Sequence, residues 1–109
     1  MTNLKKPRSR KFEDPIYGFI YYISVDSDID RATKFLDYLV QEDDGGRFVV
    51  DDDNNHSIRL WFREWDIATF GHEASHAVDH VMEICHIDDD EARAYYMGFM
   101  MKNIYELAE

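Results

Sequence analysis

The run from Ile16 to Val25 is the feature that most limits how this chain can fold. About ten residues are too few to cross a bilayer as a helix, and the run alternates with a period of two. β-Branched and aromatic side chains dominate it, as is typical of strands. One face consists of Tyr17, Phe19, Tyr21, Ile23 and Val25, and the other is also apolar at Ile20 and Tyr22. We therefore predict a β-strand from Tyr17 to Val25 that is covered on both sides.

The segment after this run reads as a helix followed by a hairpin. Apolar residues from Ile29 to Val40 recur at helical spacing, after acidic N-cap candidates and before the stop at Gly45-Gly46. Arg47–Val50 and Ser57–Trp65 resemble strands, and the Asp- and Asn-rich segment 51–55 between them is rich in turn formers. We expect residues 51–55 to form a hairpin tip.

Two amphipathic helices are predicted in the last part of the chain. Asp66 is a suitable N-cap for a helix from Ile67 to about Cys85, and His86 and Ile87 break the pattern. Asp88 is the predicted N-cap of a helix that runs to about Leu107, with Tyr96, Met100 and Ile104 on its buried side. The order of elements predicts one small α+β domain over 15–109, with a short antiparallel or mixed sheet.

The charge is divided unevenly along the chain. The formal net charge is −11, and five of the twelve Lys and Arg residues lie within the first eleven positions, so 12–109 carries 7 − 23 = −16. Residues 1–14 are basic and poor in apolar side chains, and we predict a flexible arm. A body this acidic repels phosphate backbones, so we expect no direct nucleic-acid binding by the folded body. The one cysteine and the lack of a membrane-spanning run favour a cytoplasmic protein without membrane association.

The predicted helix over 67–85 contains His72-Glu73-Ala74-Ser75-His76, which matches H-E-x-x-H. Residues i and i+4 share one helical face, so both imidazoles can reach one zinc ion. Glu73 lies beside them, where a carboxylate can take a proton from an attacking water. His72 and His76 point away from the apolar stripe, which excludes a buried pair. A solvated helix face that happens to carry two histidines is the alternative interpretation.

Here the chain resembles the gluzincin branch of the HExxH zincin metallopeptidases, especially minimal forms of the ImmA/IrrE type. The residues that carry the resemblance are His72, Glu73, His76, Glu91-Ala92 and Tyr95, within roughly 57–100. The resemblance implies a zincin-like fold with an active-site helix and a C-terminal helix. It also implies Zn²⁺ bound by His72, His76 and Glu91, with Glu73 as general base. The predicted strand from Ile58 to Trp65 would match the edge strand along which such enzymes lay an extended peptide.

Several alternatives stay open in the sequence. The third zinc ligand can come from Asp88, Asp89, Asp90 or Glu91, and Glu91 can equally serve a capping box with Asp88. Tyr95 is a candidate to stabilise the oxyanion of the tetrahedral intermediate, with core packing as the other explanation. Asp79 can orient a ligand histidine or be a plain surface acid. His80 is too far along the helix to share one ion with both histidines of the motif.

The sequence therefore predicts a zinc-dependent metallopeptidase that cleaves a peptide bond, and its small size favours one specific protein partner as the substrate. Two other hypotheses remain. One is a non-catalytic acidic interaction or inhibitor protein, with nucleic-acid mimicry as one form. The other is a zinc-binding domain without turnover.

Overall fold

The computed structural model describes residues 7–108 and confirms the α+β class. A mixed four-stranded sheet in the order β1-β2-β4-β3 is packed with three α-helices. The elements are β1 (Arg8–Glu13), β2 (Ile20–Val25), α1 (Ile29–Leu36), β3 (Gly46–Asp51), β4 (Asn54–Phe62), α2 (Ile67–Ile84), α3 (Asp90–Tyr105) and a closing 3₁₀ turn (Glu106–Ala108).

The parallel pairing of β2 with β4 organises the sheet. β1 joins β2 in the antiparallel sense, and β3 joins β4 as the predicted hairpin. Its turn is Asp52-Asp53 alone, shorter than the predicted tip at 51–55. β4 is therefore an interior strand, and the expectation that Ile58–Trp65 is an edge strand is wrong. The edge beside the later helices is β3 instead. The sequence of β4 alone does not show which strands pair with it. Its partner β2 is separated from it along the chain by α1 and β3.

The sheet separates two cores. The larger lies between the sheet and the pair α2 and α3, where Phe19, Tyr21, Ile23 and Val25 are fully buried as one face. β2 begins only at Ile20, so the predicted start at Tyr17 is too early. The smaller lies on the opposite side of the sheet, where Ala32 and Leu36 of α1 pack with Trp61. α1 ends earlier than predicted, since Asp37 takes a left-handed conformation (φ 53°) as its C-cap.

The prediction of a flexible arm over 1–14 is wrong for Arg8–Glu13, which form β1; residues 1–6 lie outside the described residues. The basic side chains that suggested an arm are bound by the end of α3. Arg8 donates to the Leu107 carbonyl (2.9 Å), and Arg10 pairs with Glu106 (2.9 Å). Cations at a helix C-terminus are favourable, because the unpaired carbonyls there carry partial negative charge. Phe12 anchors the strand by stacking on Tyr21, with 5.0 Å between ring centroids.

Candidate metal site on helix α2

Helix α2 presents the H-E-x-x-H residues because its opposite face is buried. Asp66 caps it as predicted, accepting a hydrogen bond from the Ala68 amide (3.1 Å). The side chains of Phe70, Ala74, Ala77, Val78 and Val81 are fully buried against the sheet and α3. At about 100° per residue, this stripe turns positions 72 and 76 outward.

His72 and His76 meet on the outer face of α2. Their Nε2 atoms are 3.3 Å apart, and the His72 side chain is 68% exposed. Two nitrogens bound at about 2.0–2.1 Å to one tetrahedral zinc ion stand about 3.3–3.4 Å apart. The two imidazoles thus have the separation of a bidentate zinc site. The same separation lets one ring donate a hydrogen bond to the other when no ion is bound.

Glu73 lies beside this pair but is protected from solvent. It is only 8% exposed, and its Oε2 is 3.8 Å from His72 Nε2. Its Cγ faces the start of β3, where a Cβ added at Gly46 would be 3.2 Å away. Glu73 is therefore a carboxyl group held near the imidazoles by the packing of α2 on β3.

Strand β3 forms one wall beside the histidines. The Phe48 ring lies 6.2 Å from the His76 ring and 5.9 Å from the His80 ring, between centroids. His80 donates from Nε2 to the Asn55 carbonyl (2.8 Å), so it holds α2 to the hairpin, a contact that the sequence did not predict. Gly46 and Phe48 are the residues of this wall that sequence reasoning missed. Nothing in the sequence around Gly46 and Phe48 marks them as neighbours of the motif. They are recognised only from the packing of β3 against Glu73 and His76.

Helix α3 flanks the other side of α2. Arg93 forms an ion pair with Asp79, and Ser75 shares a cavity of about 350 Å³ with Asp90, Arg93, Ala94 and Met97. Asp79 is therefore committed to Arg93, which leaves the predicted orienting role for it without support in the structure.

The predicted third ligand, Glu91, is exposed and is not brought to the histidines. It lies two positions from Arg93, about 200° around α3, and so on the side opposite to the contact with α2. Asp90 instead faces the cavity with Ser75. Within residues 7–108, no three His, Cys, Asp or Glu side chains stand close enough together to hold one metal ion.

Two further sequence predictions concern the same stretch. Tyr95, the candidate oxyanion donor, shares the outward side of α3 with Glu91 and is 79% exposed. The N-cap of α3 is Asp89, which accepts from the amides of Glu91 (2.9 Å) and Ala92, so the prediction of Asp88 as the cap is wrong. The capping box with Asp88 is therefore not formed.

Comparison with protein-family models, with curated proteins and with solved structures finds no match to this chain. No helix in the described part of the chain has the length and apolarity needed to span a membrane.

Proposed function

We propose that this protein is a zinc-dependent metallopeptidase that hydrolyses a peptide bond in a protein partner. The observation that carries the proposal is the 3.3 Å separation of the His72 and His76 Nε2 atoms, with Glu73 directly beside them. A tetrahedral zinc ion needs this separation, and a hydrolytic site needs this carboxyl group.

In this proposal His72 and His76 hold zinc, and the acidic start of α3 supplies a third ligand. Zinc would polarise the substrate carbonyl and lower the pKa of a bound water. Glu91 is the ligand implied by the family resemblance, whereas Asp90 is the acid that faces α2. Asp90 would have to change its side-chain rotamer to approach the histidines, whereas Glu91, on the opposite side of α3, would also need a rotation of that helix. The zinc affinities of Asp90→Asn and Glu91→Gln distinguish the two.

Glu73 acts as the general base in this proposal. Its carboxylate accepts a proton from the attacking water and then passes that proton to the leaving amine nitrogen. Its low exposure fits this role, because a carboxylate shielded from bulk water keeps its position during the proton transfer. Tyr95 receives no step, since its side chain is turned to solvent.

The substrate is proposed to bind along β3. β3 is at the edge of the sheet, and within the described chain none of its backbone groups bonds outside the sheet. An extended peptide can add to such an edge through main-chain hydrogen bonds. Because Phe48 of β3 neighbours His76, a peptide added there passes next to the histidines.

The test is hydrolysis of a proteome-derived peptide library by the zinc-loaded protein, read by mass spectrometry. We expect cleavage by the wild type and a loss of at least about a hundredfold in Glu73→Gln, with zinc retained. Glu83→Gln is the matched control, since Glu83 is an exposed acid on the same helix. Equal cleavage by wild type and Glu73→Gln would contradict the proposal.

A second candidate is an acidic interaction protein without catalysis, with or without bound zinc. The charge of −16 over 12–109 favours it, and so does the lack of a third ligand grouped with the histidines among the described residues. If Glu73→Gln leaves biological activity intact while the protein captures a basic partner, this candidate replaces the first.

A further inference from the structure

A small cavity lies against β3 on the face of the sheet opposite to the histidines. Its volume is about 170 Å³, close to the size of one large side chain. Its walls combine apolar and acidic residues: Leu36, Asp37, Tyr38, Val49, Val50, Asp51 and Asp52. Val49 belongs to the core beneath α1, so the cavity is framed by α1 and by β3.

The charge of this cavity is negative. Three of its lining residues are aspartates and none is basic. Asp51 is held by Arg59 (3.1 Å) and by the Ser57 hydroxyl, whereas Asp37 and Asp52 form no ion pair among the described residues. A neighbouring cavity of about 600 Å³ shares these three aspartates and adds Asp53, and it is also lined by Lys34 and Arg59. The two cavities together therefore have four acidic and two basic side chains, which leaves an excess of negative charge. Apolar walls with acidic groups suit a side chain that has an aliphatic stem and a cationic end.

We infer that β3 binds an extended segment that carries a lysine or arginine, and that this basic side chain enters the cavity. The aliphatic stem packs on Val49 and Tyr38, and the charged end reaches Asp37 and Asp52. The unpaired edge of β3 supplies the main-chain hydrogen bonds. The inference rests on the proposed function in one respect: that function makes the bound segment the substrate.

The position of the basic residue follows from strand geometry. Side chains of an added strand alternate between the two faces of the sheet, at about 3.3 Å per residue. Phe48 lies beside His76, and the cavity begins at Val49 on the other face. The lysine or arginine therefore points away from the histidines, within about three residues of the bond to be cleaved.

The experiment measures binding without cleavage. Zinc-loaded Glu73→Gln protein is titrated into fluorescein-labelled peptides of one Ser/Thr/Val host sequence, with lysine, norleucine or glutamate at the central position. We expect the lysine peptide to bind roughly tenfold more tightly than the norleucine peptide, and the glutamate peptide most weakly. The added substitutions Asp37→Asn and Asp52→Asn should abolish the lysine preference and leave norleucine binding unchanged. Asparagine also tolerates the left-handed conformation at position 37.

The matched control is Glu13→Gln with Glu83→Gln, which removes the same charge from exposed sites on β1 and α2. The inference is overturned if no peptide binds, if lysine and norleucine bind equally, or if the control loses the preference as much as the cavity variant. Lysine-selective binding without cleavage by the wild type would contradict the proposed function and leave the docking surface standing. Cleavage by the wild type with no enrichment of lysine or arginine near the cleaved bonds would support the proposed function and contradict the docking surface.

Discussion

Two polar groupings on the same side of the sheet differ in almost every physical respect. In the interior, Tyr21 donates to Tyr96, and Tyr96 donates to the carboxyl group of Asp14 (2.6 Å). Asp14 is fully buried and also accepts from the amides of Ile16 (2.6 Å) and Tyr17 (3.0 Å). On the surface, His72 Nε2 and His76 Nε2 are hydrogen-bonded to each other and, among residues 7–108, to no further atom, with the Glu73 carboxylate 3.8 Å from His72 Nε2.

The interior grouping contributes to the stability of the fold, whereas the histidine pair can bind an ion. Every polar atom of the interior grouping has a partner, so it fixes the loop after β1 to β2 and α3 but has nothing left for a ligand. The histidine pair contributes little to the fold, and its nitrogens are free for an ion. Substitutions in the first grouping should therefore change the free energy of unfolding, and substitutions in the second should change zinc affinity.

The largest effect is expected from Asp14→Ala. It removes three hydrogen bonds to a buried carboxyl group, so the proton that Tyr96 donates and two amides lose their acceptor, which costs about 3 kcal/mol or more in free energy of unfolding. Urea denaturation measures this cost, with exposed Asp43→Ala as the control. A change below about 0.5 kcal/mol would show that the interior grouping is not a stabilising one.

Gly46→Ala should affect both properties at once. A Cβ at this position would stand 2.8 Å from Thr69 Cγ2, 3.0 Å from the Trp61 carbonyl oxygen and 3.2 Å from Glu73 Cγ. We expect a loss of about 1–3 kcal/mol in stability and a displaced Glu73, hence slower hydrolysis at unchanged zinc affinity. Gly98→Ala in α3 is the control, since its Cβ would meet no atom within 4 Å. If both variants behave alike, β3 does not position Glu73.

The interior grouping also predicts a loss of stability at alkaline pH. Burial, with the neighbouring Asp14 contributing, raises the pKa of both Tyr21 and Tyr96 above the ordinary 10.0. Above about pH 10 the unfolded chain releases phenol protons that the folded protein keeps, so the free energy of unfolding falls as pH rises. The expected slope is about 1.4 kcal/mol per pH unit for each tyrosine. Urea midpoints from pH 8 to 11.5 test it; a slope unchanged in Tyr21→Phe would contradict it.

The smallest effect is expected at the end of α2. His86 has φ 56° and lies where this helix closes with paired bonds from His86 N to the Glu83 carbonyl and from Ile87 N to the Met82 carbonyl. Glycine is favoured at this left-handed position, so His86→Gly should stabilise the fold by up to about 1 kcal/mol. Thermal unfolding measures it. Zinc affinity should stay unchanged; a drop would place His86 in the metal site.

Local sequence patterns predicted the elements whose signals are local. The period of two in β2, the apolar stripe of α2 and its cap at Asp66 all depend on residues within one element. The outward direction of His72 and His76 follows from the same stripe. These features need no knowledge of the rest of the chain.

Two of the wrong predictions depended on contacts distant in sequence, whereas the errors at the end of α1 and at the cap of α3 concern local backbone geometry. β1 exists because the carbonyls and acid near the end of α3 bind Arg8 and Arg10, about a hundred positions away. β3 lies at the edge of the sheet because β2 occupies the other side of β4, and these two strands are distant in sequence. The outward direction of Glu91, by contrast, follows from the predicted buried side of α3, because Tyr96, Met100 and Ile104 lie on the opposite face of the helix.

Zinc binding by isothermal titration calorimetry shows whether His72 and His76 form a metal site. The protein is first stripped with chelator, and wild type is compared with His76→Ala and with His56→Ala, which removes a histidine outside the motif. We predict one zinc ion per chain for wild type and His56→Ala, and an affinity lower by about a hundredfold or more for His76→Ala. No zinc binding by the wild type, or equal binding by all three proteins, would contradict the account.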